Sequence, residues 1–162
     1  MTLLNWIESS GGPLVLLPRS LRTEWKGVAG DDYEDACGED DYLGVLRRKW
    51  GVAIVLGDEP FRTAVIQRAD GPAIVRWMYA PTADQLLELA IHVDLDGRKP
   101  VETLHVQLLD EPYVILDSAA EIAGAETVEF RPPLGVRMIR TYVVRDDAKD
   151  VGVVLHAFAV SA

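Results

Sequence analysis

The chain has one cysteine, three histidines and no apolar run longer than a single strand. A lone thiol, Cys37, forms no internal disulfide, so nothing in the sequence asks for an oxidising compartment. The longest apolar runs, Leu14–Leu17 and Val52–Leu56, fall far short of the roughly 20 residues a membrane-crossing helix needs. Met1–Ile7 holds no basic residue, and the apolar pieces before Gly11 are too short for the core of a secretion signal. The expected location is the cytoplasm.

Catalytic motifs are lacking too. His92, His105 and His156 show no H-x-x-x-H or H-x-E spacing, so a metal would require them to converge from separate elements. There is no G-x-S-x-G, and Ser9 and Ser10 sit in the turn-like Glu8-Ser9-Ser10-Gly11. No glycine loop of the Walker or dinucleotide type occurs. A calcium loop opening at Asp31 would place Ala36 and Tyr42 where glycine and glutamate are needed. Cys37 lies among carboxylates, which blunt a thiol's nucleophilicity, and reads as a small buried or half-buried side chain. No catalytic residue, metal or cofactor is expected. Two alternatives stay open: a small hydrolase using paired carboxylates, and a non-catalytic ligand-binding or regulatory module.

What the sequence does have is a local excess of acid. The eleven residues Asp31–Asp41 carry seven carboxylates and no Lys or Arg, in a chain whose net charge is −10. Phosphate binding depends on Lys and Arg displacing counterions, so this sign opposes nucleic acid and an anionic membrane surface as partners. It favours a basic protein, because complementary fields speed encounter. Asp31, Asp32, Glu34, Asp35, Glu39, Asp40 and Asp41 are the candidate steering residues, and Tyr33 and Tyr42, which bracket the run, are candidate anchors. The bland alternative is a solvated loop whose charge serves solubility.

Length predicts one domain over residues 1–162, long enough to bury a core without staples. Strand signals dominate: Pro13–Leu17, Val52–Leu56, Thr63–Arg68, Ala73–Tyr79, Glu102–Leu108, Tyr113–Leu116, Val128–Phe130, Val136–Val144 and Val151–Val160. Asp70-Gly71 predicts a hairpin, and Arg145–Asp150 another. Trp77 reads as core. The main helix runs over about Ala83–Val93: Thr82 caps it, Gln85 completes a capping box, and Leu86, Leu89, Ala90 and Val93 share a face. A short second helix is expected near Asp32–Ala36. The fold class is α+β with a largely antiparallel sheet.

Several phrases also occur together: Trp6-Ile7-Glu8-Ser9-Ser10-Gly11-Gly12-Pro13-Leu14, Asp32-Tyr33-Glu34-Asp35-Ala36-Cys37, Tyr42-Leu43-Gly44-Val45, Val55-Leu56-Gly57-Asp58-Glu59-Pro60 and Val75-Arg76-Trp77-Met78-Tyr79-Ala80. On these the chain resembles the immunity protein 21 family of bacterial polymorphic toxin systems, with specific motifs in the first half and only a coarse strand pattern in the second. The resemblance implies a small cytoplasmic α+β protein, made beside a toxin, that binds and blocks it without being an enzyme. It brings no contact residues with it. Gly11, Gly12 and Pro13, and Asp58-Glu59-Pro60, are each adequately explained as turns.

Overall fold

The computed structural model describes residues 4–121 and 125–160. Residues 1–3, part of the stretch read above for a secretion signal, lie outside the described residues. The chain folds into antiparallel sheets with few helices, an α+β protein. It divides into two compact units, each with its own five-stranded sheet.

One unit joins Trp6–Pro60 to Glu111–Arg131. Its strands are β1 (Leu14–Pro18), β2 (Leu43–Arg48), β3 (Gly51–Leu56), β7 (Tyr113–Asp117) and β8 (Thr127–Phe130), in the order β2-β3-β1-β7-β8. A six-residue helix, α1 (Asp32–Cys37), precedes β2. The continuous apolar run of β1 is buried at every position, as a central strand covered on both faces must be. Val15 and Leu17 pack with Trp25, Ala36, Ala53, Val55, Val114 and Leu116. Two connections tie β1 to β7 beyond the ladder: Ser118 donates its amide (3.1 Å) and its hydroxyl (2.5 Å) to the Pro13 carbonyl.

The other unit contains Phe61–Asp110 and the residues from Pro132 onward. Its strands β4 (Thr63–Arg68), β5 (Gly71–Tyr79), β6 (Glu102–His105), β9 (Met138–Asp146) and β10 (Val151–Ala159) are ordered β4-β5-β10-β9-β6. Helix α2 (Ala83–His92) packs against β4, β5 and β10 through Leu86 and Ala90, both buried. The Thr82 hydroxyl accepts from the Gln85 backbone amide at 3.2 Å and donates to the Gln85 side-chain oxygen Oε1 at 3.2 Å. At the other end, Arg68 donates to the carbonyls of Ala90 (2.5 Å), Ile91 (3.4 Å) and Val93 (2.8 Å), satisfying acceptors that a helix terminus leaves open.

The two units differ in charge. The acidic unit, Trp6–Pro60 with Glu111–Arg131, holds sixteen acids and seven bases; the rest of the chain holds ten acids and nine bases. Nine of the ten excess negative charges therefore belong to the acidic unit.

Several details differ from the sequence reading, β9 among them, which spans Met138–Asp146 rather than Val136–Val144. β2 was not expected, because Gly44 and the basic Arg47-Arg48-Lys49 interrupt its pattern. β6 ends at His105, and 106–108 continue only as backbone bonds from Val106 to Arg137 (3.1 Å) and from Leu108 to Val136 (3.1 Å). Trp77 is half-buried, with the Arg62 guanidinium 4.9 Å from its ring centre, while Trp25 is the indole that is fully buried.

Candidate functional site

The acid run forms α1 and the turn that leads into β2. Acids suit this place: Asp32, Glu34 and Asp35 lie in the first turn of α1, where unpaired backbone N–H groups favour negative charge. The seven carboxylates are not equivalent. Asp31, Glu34, Asp35, Asp40 and Asp41 are exposed, Glu39 is half-buried, and Asp32 is only 7% exposed.

Asp32 is spent internally. Its Oδ2 accepts the Lys26 amide at 2.9 Å and its Oδ1 accepts Arg48 Nε at 3.0 Å. The same guanidinium reaches Asp35 Oδ2 at 2.5 Å, so one arginine at the end of β2 grips two carboxylates of α1. The hydrogen bond that Arg48 donates to Asp35, and after it the charge of Asp32, holds Arg48 above the ordinary arginine range. Glu39 also folds back: it accepts the Asp41 amide at 3.1 Å and lies across the face of Gly44.

Tyr33 is half-buried, with its ring on Gly12. A Cβ at Gly12 would stand 2.6 Å from Tyr33 Cε2. The Cys37 thiol raises the phenol's pKa, first through a hydrogen bond. Cys37 itself is exposed, not buried or half-buried as expected. Tyr42 is half-buried at the start of the β2–β3 pairing, and its carbonyl accepts the Gly57 amide at 2.9 Å. A Cβ at Gly57 would run into the Asp41 carbonyl.

Four of the quoted phrases therefore meet in space. Gly12, Tyr33, Gly44 and Gly57 each come from a different one, and the three glycines seat Tyr33, Glu39 and the Asp41 backbone. The turn reading is right for Gly11, whose φ is +134° and whose Cβ would meet nothing. It misses Gly12, where close approach is the reason for glycine. Two depressions flank α1. One, about 270 Å³, is lined by Gly12, Tyr33, Cys37, Gly57 and Asp58 among others. The second, about 390 Å³, lies among Glu24, Asp31, Asp35, Arg48 and Trp50. Arg48 and Trp50 were not singled out as site residues, although a basic triplet soon after an acid run is a signal for internal pairing.

The other unit carries the three histidines. His92 and His105 are exposed, and His156 is buried with Nδ1 2.8 Å from Thr141 Oγ1. Among the described residues, no three His, Cys, Asp or Glu side chains group as metal ligands. No helix among them is long and apolar enough to cross a membrane.

The chain is thus an antiparallel α+β protein with an acid-lined face at one helix. The family profile described as Immunity protein 21 matches residues 5–149, and the chain belongs to that family. The match extends well past the first-half phrases on which the resemblance rests. No curated protein and no solved structure matches the chain.

Proposed function

We propose that the chain binds and neutralises a cognate bacterial toxin as a stoichiometric inhibitor, and that the acidic face around α1 is its contact surface. One observation carries this reading: nine of the ten excess negative charges lie in a single unit, with Asp31, Glu34, Asp35, Asp40 and Asp41 exposed along one segment of it. Family membership supplies the class, because an immunity protein implies a toxin as partner. The toxin would be basic where it meets this face, with neither nucleic acid nor membrane involved and no reaction catalysed.

In this reading the seven acids divide their roles. The exposed carboxylates raise the encounter rate. Asp32 and, in part, Asp35 and Glu39 hold the segment in shape. Tyr33 and Tyr42 are half-buried supports that present an edge to the partner.

The test uses the toxin domain encoded beside this chain, with its active site disabled. The expected outcome is a one-to-one complex whose association rate falls as salt rises. Replacing Asp31, Asp32, Glu34, Asp35, Glu39, Asp40 and Asp41 by Asn or Gln slows association and flattens that salt dependence. Unchanged association at low salt removes this face from the mechanism. Rescue of toxin-expressing cells without any physical complex would point to an enzyme instead.

A further inference from the structure

We propose that Arg48 is a positioning residue for toxin binding, so that removing this positive charge from an acidic face weakens capture of a basic partner. The inference rests on that face being the contact surface.

A six-residue helix has no stability of its own, since forming the first turn costs more than a short run of hydrogen bonds returns. α1 stays in place through Ala36, which is buried in the core, and through its side-chain bonds to the sheet. Arg48 supplies two of those bonds from β2, an edge strand of its sheet. Its side chain is only 25% exposed, and the Asp32 side chain 10%. Without the guanidinium, Asp32 keeps the Lys26 amide but loses its opposite charge, and a carboxylate so enclosed turns outward to water. That movement carries the first turn of α1 with it, along with Asp31 and Glu34. A rigid surface binds more tightly than one that must be ordered on contact.

The charge argument alone predicts the reverse. R48Q takes the chain from −10 to −11, and a more negative face attracts a basic partner faster. The two accounts thus differ in sign. The experiment measures association and dissociation rates with the disabled toxin domain, together with amide exchange across residues 32–37. Wild type, R48Q, R48K and the triple variant R48Q/D32N/D35N are compared.

Positioning predicts that R48Q dissociates faster, with affinity lower by roughly ten-fold, and that the α1 amides exchange faster while those of β1 and β3 do not. R48K keeps the charge but loses the two-carboxylate fork, and falls in between. The triple variant, at −9, removes the uncompensated carboxylates and binds more tightly than R48Q despite being less negative. If R48Q fails to fold, R48K against wild type decides: weaker binding with faster exchange of the α1 amides supports positioning, and binding as tight as wild type overturns it. R48Q binding as fast and as tightly as wild type, or more so, overturns the inference and leaves the toxin reading standing. Wild type failing to bind overturns the toxin reading itself.

Discussion

The Trp25 indole is 1% exposed, packed with Val15, Leu17, Val55 and Val114, and donates Nε1 to the Ser118 carbonyl at 2.9 Å. It joins the segment ahead of α1 to the end of β7, so its loss is felt across the acidic unit. W25A leaves a cavity and an unmet carbonyl and should cost about 3–5 kcal/mol in urea unfolding. His156 is a different kind of buried side chain. Burial, and then the charge of Arg76, pushes its pKa well below the ordinary histidine value. The folded state therefore resists a proton that the unfolded chain takes up near about pH 6.5. Stability is complete above that pH and falls as the pH drops below it, by at most about 1.4 kcal/mol per unit from this group. H156N retains an amide able to meet Thr141 but does not titrate. Urea midpoints at pH 7 and pH 5 should differ less for H156N than for wild type; an equal difference would assign the acid sensitivity to other groups.

At the level of elements, the residues that define one strand or helix by themselves were legible, and those defined by a neighbour were not. α2 was readable because Thr82, Gln85 and the Leu86–Ala90 face are local signals, and it ends at His92, one residue short of the expected Val93. The short helix expected near Asp32–Ala36 is present and runs from Asp32 to Cys37. The hairpin of β4 and β5 closes with Arg68 opposite Gly71, so Ala69 and Asp70 make the turn. By contrast, β1 lies between β3 and β7, a pairing of distant segments that hydrophobic pattern does not encode. The Arg48 grip on α1 was hidden likewise, since charge in a sequence does not say which acid is already neutralised. Gly12 belongs here too. A G12A substitution sets a methyl against the Tyr33 ring and should displace it, costing about 1–3 kcal/mol. G11A meets no atom but must hold a φ of +134°, so it also destabilises, by backbone strain. Pairing each with Y33A separates the two causes. Y33A should relieve much of the G12A penalty and little of the G11A penalty, read as unfolding free energies.

For the whole molecule, the division of charge matters more than its total. A net −10 spread evenly would give a soluble protein with no preferred face. Nine of those charges belong to one unit. Placement can be separated from total charge by two variants with the same net charge. Neutralising Asp31, Glu34, Asp40 and Asp41 takes the chain to −6; so does neutralising Asp84, Asp96, Asp147 and Asp150, which belong to the other unit. None of these eight side chains is buried, so both variants should fold with nearly wild-type stability. Charges beyond about 10 Å are largely screened near physiological salt, so only carboxylates near the contact contribute fully to steering. If the face around α1 meets the toxin, the first variant loses most of the salt dependence of association and the second retains most of it. Stopped-flow association at two or three salt concentrations measures both slopes. Equal losses would mean that the partner senses only the overall charge, and that the segment around α1 has no special part in recognition.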